Sequence, residues 1–532
     1  MNETPKQENK ANQQIARAAS IVFIAMAVGQ LVGQLAKSVT VSAFGPSAEL
    51  DAYNAANRVS ETVYLLVAGG ALGSSFIPVF TGLLTNNKKK EAWKLASSII
   101  NLVTIVLILL SILVMIFAEP LVKNILAPSF PLDQQLLTAS LLRVLMPTTI
   151  IFGVSGLFMG MLNSHQKFLL PALAPSMYQI GIVLGVIFLV PSMGIFGLAW
   201  GTLLGAGLHF LIQLPQIIRL PDRQYDLILG IKNERVREVI LLMLPRLLGV
   251  AVVQLNFWVN TIIASGLQPG SLTAITIGFA LMLMPQTVIG QATATAALPT
   301  YAAQYAQGKI DEFRSSLAAT LRVILLLSIP AMVGMIVLRQ PLVAMFYGYG
   351  AAANQQATRM IAAAVLWYTV GLVSHSIYEI LARAFYALHD TKTPVIVGVI
   401  SMSFNVVLSL LFVNIFRTIP NVPALGGLAL ANSVATTIEM VVLVIVMSKR
   451  LKGLELPAMF LTAGKAAVSA GIMAMGLYFW LSFSHARMSP IIVTLVGAAG
   501  GIVIYFALIY LLRVPEFSAL IQSVKKRVMR RG

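Results

Sequence analysis

Apolar runs of about 20 residues, repeated from one end of the chain to the other, restrict its fold more than any other feature. Residues 99–118 are one such run and contain no charge. A helix needs roughly 20 apolar residues to cross a hydrocarbon core about 30 Å thick. The runs are far too long for membrane β-strands, so the backbone must satisfy its own polar groups as helices. About fourteen runs can be traced, centred near residues 28, 70, 106, 150, 180, 208, 252, 286, 328, 372, 405, 437, 470 and 501. Those near 70 and 286 are interrupted by Gly and Pro. Only 11% of the 532 residues are charged, and the mean hydropathy is +0.85. That is too little polarity to clothe a water-facing surface. The expectation is an all-α integral membrane protein with about 14 transmembrane helices. Residues 1–16 are polar and lack the apolar core and cleavage site of a signal peptide, so the first run is expected to be a retained helix.

The net charge of +18 would suggest nucleic acid in a soluble chain, but its distribution points to topology instead. With the N-terminus placed in the cytoplasm, alternate connections and the two tails hold about 24 Lys and Arg on the inner side. The outer side holds about five: Lys123, Arg339, Arg359, Arg417 and Arg487. This positive-inside bias places both termini in the cytoplasm of a multi-pass protein, and no nucleic-acid partner is expected. Cysteine is absent, which excludes disulfides, Cys-based metal sites and thiol catalysis.

The chain also repeats itself. A shift of 221 residues lays Ala43 on Ala264, Gly45 on Gly266, Gly69 on Gly290, Ala71 on Ala292 and Pro78 on Pro299. The same shift lays Pro120-Leu121-Val122 on Pro341-Leu342-Val343, and an offset of 226 lays Leu162 on Leu388. Each unit holds an even number of helices, so the two enter and leave on the same side. They are therefore parallel six-helix lobes related by a pseudo-two-fold axis along the membrane normal. The division expected is a cytoplasmic tail (1–16), an N-lobe of helices 1–6 (17–222) and a C-lobe of helices 7–12 (223–453). Two additional helices (454–513) and a basic cytoplasmic tail (514–532) follow. Gly69, Gly70, Pro78, Gly290 and Pro299 are candidates for helix bending or gating, since Pro removes a backbone hydrogen bond and small residues permit close approach. Ordinary close packing explains them equally well.

Ionisable and amide groups at membrane depth are candidate site residues, because burying them there is costly. Arg58 and Glu61 share a face of helix 2 and can pair, with Asp51 just before them. Glu379 and Arg383 form an i,i+4 pair in helix 10. Arg246 lies in helix 7 with no carboxylate at helical spacing, and Lys37 ends helix 1. Gln30 and Gln34 on helix 1, and Gln254, Asn256 and Asn260 on helix 7, add amides that either bind sugar and peptide groups or join helices. No G-x-x-x-x-G-K-[ST] phosphate loop, no paired-histidine metal spacing and no nucleophile motif is found. The reading is therefore a transporter, with no enzyme activity, cofactor or metal expected. Coupling to Na+, H+ or the membrane potential is left open.

Several stretches then point to a family. They are Phe44-Gly45 with Asp51-Ala52-Tyr53, Gly70-Ala71 with Phe76-Ile77-Pro78, Leu142-Arg143 with Pro147, and Leu162-Asn163-Ser164-His165. In the second half come Gln254-Leu255-Asn256, Ala294-Thr295 with Leu298-Pro299, and the long run from Leu381-Ala382-Arg383 through His389-Asp390-Thr391-Lys392-Thr393-Pro394. The sequence resembles the MviN/MurJ family of lipid II flippases, within the superfamily of multidrug and polysaccharide exporters, over nearly its whole length. The resemblance implies a bacterial cytoplasmic-membrane protein that moves undecaprenyl-pyrophosphate-linked peptidoglycan precursor from the inner to the outer leaflet by alternating access. It also implies that the last two helices hold the polyprenyl tail. Several of the family's cavity charges are replaced. Its helix 1 arginines fall on Gln30 and Ala36, its helix 2 glutamate on Gly69, its helix 7 aspartate on Asn260, and its helix 8 A-D-R on Gly278-Phe279-Ala280. Arg58, Arg246 and Lys37 remain as candidate cations for a pyrophosphate. The alternatives are a flippase for another polyprenyl-linked oligosaccharide, a cation-coupled multidrug antiporter using Asp51, Glu61, Glu379 or Glu439, and a non-transporting scaffold.

Overall fold

The computed structural model describes residue 25 and residues 28–66, 75–484 and 487–517. Every regular element among them is helical. In chain order the principal helices are α1 (28–44), α2 (Ala48–Tyr64), α3 (Ile77–Thr85), α4 (Lys89–Ile116), α5 (Leu132–Ser164), α6 (Leu169–Leu184) and α7 (Ile195–Leu211). There follow α8 (Glu234–Ser265), α9 (Ser271–Gln286), α10 (Ala292–Ala306), α11 (Ile310–Tyr347), α12 (Gln355–Thr369) and α13 (Leu372–Ala387). The last four are α14 (Lys392–Thr418), α15 (Leu425–Arg450), α16 (Leu456–Ser484) and α17 (Pro490–Leu511). Ten helices among the described residues are long and apolar enough to cross a membrane, and the bent pair α12–α13 makes an eleventh. The three remaining runs of the sequence, those near residues 28, 70 and 252, are helical where described, as α1, α2–α3 and α8.

The two Gly- and Pro-interrupted spans are helical where described, and both contain π-type backbone. Residues 65–66 leave α2 in a wide π-type turn, and Thr287–Gln291 makes the equivalent turn between α9 and α10. Such turns carry one residue more than α-geometry allows and loosen the backbone locally. Gly290 sits in the second turn, and Pro299 lies inside α10. A Cβ on Gly290 would stand 3.0 Å from the Ser376 backbone, so glycine is what lets this turn lie against α13. Pro78 opens α3, where its missing N–H has no intrahelical role. Gly69 and Gly70 lie outside the described residues.

The chain divides into two compact units after Gly270. In the first, α6 and α7 approach closely because glycines face glycines. A Cβ on Gly181 would lie 2.1 Å from Gly205 Cα, and one on Gly185 would lie 2.3 Å from Gly201 Cα. Lipid tails offer no hydrophobic drive for helix pairing, so small residues that admit backbone contact supply it through dispersion. A second core, of Phe76, Phe80, Trp93, Leu95, Ile99 and Leu157, joins α3, α4 and α5. The loop before α8 is pinned onto α4 by side chains. Asn101 donates to the carbonyls of Asp226 (3.0 Å) and Ile228 (2.9 Å) and accepts from the Tyr225 hydroxyl (2.5 Å). The sequence repeat assigns α8 to the C-lobe; by its contacts it packs with the first unit, against α2 and α4.

The second unit is built on α11, which packs against α13, α16 and α17 through Leu321, Ile324, Ile380, Phe385, Ala466 and Tyr505. The additional pair is bound to α11 by polar contacts too. The Tyr505 hydroxyl donates to the Leu326 carbonyl at 2.7 Å. Arg322 pairs with Glu516 at 2.6 Å and with Glu455.

Candidate functional site

The first unit brings together several of the charged residues singled out by sequence. Arg58 and Glu61, one turn apart on α2, form an ion pair of 2.9 Å. The Arg58 guanidinium also lies 4.7 Å from the centre of the Phe257 ring on α8, a cation–π geometry that holds it in place. Thr62 links the same helices. Its hydroxyl accepts from the Trp258 indole N–H at 2.9 Å and donates to the Arg58 carbonyl at 2.7 Å, with Gln254 Oε1 3.3 Å away. Lys37 of α1 stands within electrostatic reach of Glu61. Gln30, Gln34 and Lys37 fall at helical spacing on one face of α1. Lys37 and Arg58 thus flank Glu61, with Gln254 of α8 close by through Thr62.

On α8, Asn256 Oδ1 and Asn260 Oδ1 are enclosed and have no hydrogen-bond partner among the described residues. An amide oxygen left so lacks only a donor, which a sugar hydroxyl or a peptide N–H would supply. Arg246 lies on the same helix, and its side chain is outside those described. Asp51 stands apart from this group. It is buried, and its Oδ2 accepts the backbone N–H of Gly270 at 2.7 Å.

In the second unit Glu379 and Arg383 pair at 2.8 Å along α13. This is the intrahelical bridge that their spacing suggests. Phe279, where the resemblance expects the aspartate of A-D-R, serves packing, as does Gly278 before it. A Cβ on Gly278 would lie 2.5 Å from Ala364 Cβ, and Phe279 meets Tyr368 with ring centres 5.1 Å apart.

Two buried histidine clusters escape the sequence reading. In the first unit Ser155 Oγ lies 2.6 Å from His209 Nδ1 and accepts from the Gln213 amide at 2.7 Å. In the second, His375 Nε2 lies 3.1 Å from Asn432 Oδ1 and 3.4 Å from Thr436 Oγ1. Each histidine joins helices at equivalent places in the repeat, α5 to α7 and α13 to α15. The partners are 54 to 61 residues apart in sequence, so no local spacing announces them. Among the described residues no group of His, Asp and Glu could hold a metal ion.

The helical architecture and its convergent polar groups define a polytopic membrane transporter. A family model for the lipid II flippase MurJ matches residues 40–498. The chain is 27% identical over 467 residues to the lipid II flippase MurJ of Burkholderia cenocepacia, covering 86% of this chain and 88% of that one. It is 26% identical over 538 residues to the probable lipid II flippase MurJ of Vibrio cholerae, covering 95% and 98%. Among solved structures, the lipid II flippase MurJ in an inward closed conformation superposes with a TM-score of 0.79 at 24% identity, over 94% of this chain and 99% of that one. An inward-facing multidrug resistance transporter of the MATE family and MOP superfamily superposes with a TM-score of 0.67 at 18% identity, over 82% and 99%. The chain belongs to the lipid II flippase MurJ family.

Proposed function

We propose that this protein moves lipid II, the undecaprenyl-pyrophosphate-linked peptidoglycan precursor, from the inner to the outer leaflet of the bacterial cytoplasmic membrane. The observation that carries the reading is the pair of cations Lys37 and Arg58 around Glu61, where Arg58 meets Phe257 of α8. A pyrophosphate needs cations, and a sugar-peptide headgroup needs hydrogen-bonding partners such as the unpartnered amides of α8. Alternating access by the two repeat-related lobes, 17–222 and 223–453, would carry the headgroup across. The tail would lie along the additional helices within 454–513. Both termini then face the cytoplasm, in keeping with the Lys and Arg bias. An inside-negative potential favours outward movement of an anionic headgroup by about 2.3 kcal/mol per charge for each 100 mV.

The test is complementation of bacteria depleted of their own lipid II flippase. The wild-type chain is expected to restore lipid II translocation and wall growth. Arg58→Ala is expected to lower translocation roughly tenfold, because a charge-assisted contact contributes about 1.5–3 kcal/mol. Arg58→Ala with Arg246→Ala should lower it further. Unchanged transport in both variants would remove these residues from the site, and failure of the wild type would remove lipid II as the substrate. A second reading, transport of another polyprenyl-linked oligosaccharide, is favoured by one observation. Phe279, which stands where the family pattern carries an aspartate, packs its ring against Tyr368.

A further inference from the structure

One ionisable residue near the middle of a span has no role in the site described above. Glu439 lies half-buried near the centre of α15 and forms no ion pair among the described residues. A carboxylate at that depth is costly, and such residues mark ion or proton paths. Its surroundings are shaped for it. Gly398 of α14 faces it so closely that a Cβ there would stand 3.2 Å from Glu439 Oε1. The Ser401 hydroxyl, one turn further along α14, lies beside the carboxylate while donating to the Ala435 carbonyl at 2.9 Å. Asn432, Thr436 and Glu439 recur at helical spacing, forming a polar stripe along α15. The stripe leads from His375 to the carboxylate.

The other ionisable groups near this face can be named helix by helix. On α13 they are His375, Tyr378, Glu379, Arg383 and Tyr386, with Arg383 held by Glu379. On α12 they are Arg359 and Tyr368; α9 has none, and α14 has none between Lys392 and Arg417. On α15 itself Lys449 and Arg450 lie at the far end. Hard metal cations prefer sites with several carboxylates, and among the described residues no group of three His, Asp or Glu gathers around this one. A proton needs only one.

We infer that Glu439 is a proton-binding site of the second unit, seated in the notch left by Gly398. The carboxylate takes one proton to become a neutral acid and returns it unchanged, with no other bond altered. If the flippase reading above holds, this site gives transport a dependence on the pH gradient.

The test is pH-difference infrared spectroscopy on the full chain reconstituted in vesicles. The wild type is expected to show a neutral carboxylic-acid carbonyl band that titrates with pH. Glu439→Gln should lose this band and Glu379→Gln should keep it. Gly398→Ala should move its midpoint by pressing on the carboxylate. A band that survives Glu439→Gln, or a wild type with no titrating band, would overturn the proposal. A second arm follows lipid II translocation in the same vesicles under an imposed pH gradient. A response in the wild type that is lost in Glu439→Gln supports coupling. Equal responses overturn coupling while leaving the flippase reading intact. Absence of any translocation rejects that reading alone, because the spectra decide proton binding independently.

Discussion

Asp51 Oδ2 accepts the backbone N–H of Gly270 at 2.7 Å, tying the start of α2 to the turn that precedes α9. Gly270 has φ +86°, and a Cβ on it would lie 2.3 Å from the Pro46 carbonyl oxygen. The turn is closed on one side by a buried carboxylate and on the other by backbone. Asp51→Ala leaves a buried N–H without its acceptor, at a cost of about 1–3 kcal/mol. Thermal unfolding of the purified protein in detergent should show a lower midpoint for Asp51→Ala. Gly270→Ala should be worse, because it adds a steric clash to an unfavourable φ. Equal midpoints for all three proteins would show that this turn does not contribute to stability.

Asp390, in the connection between α13 and α14, has its carboxyl drawn down to about 2. The chief cause is the Thr393 hydroxyl, which donates to Oδ2 at 2.6 Å; the Thr393 N–H and Arg450 at 2.7 Å add to it. Because the folded value lies below the ordinary 3.8, the stabilisation is present above that value. It is lost as pH falls from there through about 2. Wild-type stability should therefore drop over this acid window more steeply than that of Asp390→Asn, which has no carboxyl to protonate. Parallel acid titrations of the two proteins by circular dichroism would show it. Coincident curves would count against the Thr393 and Arg450 contacts.

The Gly185–Gly201 approach predicts a packing defect rather than a charge defect. A Val at 185 would drive methyl groups into the α7 backbone, where a single Cβ already falls at 2.3 Å. Overpacking of this kind costs about 1–3 kcal/mol or more when no side chain can move aside. Gly185→Val should reduce the yield of folded protein in membranes, whereas Gly207→Ala, with open space at its Cβ, should not. Size-exclusion profiles of the two variants in detergent measure the difference.

Arg322 is the joint between α11 and the additional helices. Its side chain is 16% exposed and that of Glu516 is 9% exposed, so removing the arginine strands an enclosed carboxylate. Breaking a buried pair by deleting one partner costs about 3–5 kcal/mol. Arg322→Met should lower the unfolding midpoint clearly. Arg322→Met combined with Glu516→Gln should recover part of the loss, since the amide carries no charge to strand. A double variant no more stable than the single one would mean the pair is not the source of the effect.

Much of this architecture is legible in the chain as written. Long uncharged runs force helices, and the glycines and prolines of the two broken spans fall in register 221 residues apart, with Gly290 in a π-type turn. The Arg58–Glu61 and Glu379–Arg383 pairs are also legible, because spacings of three and four on a helix bring side chains together. The partners that complete the site are not. Phe257 under Arg58, Trp258 on Thr62 and Gly270 on Asp51 lie 196 to 219 residues from the groups they meet, and no local pattern encodes such pairings.

The sequence by itself determined that this is a multi-span helical protein with a duplicated core and two helices added, because hydrocarbon thickness and backbone hydrogen bonding leave a charge-poor chain no other form. Only the tertiary structure decided which polar groups meet, that α8 packs with the first unit, and that Phe279 serves packing where charge was expected. Those outcomes depend on which helices lie against each other, a property of the whole packed unit that hydropathy along one helix does not carry.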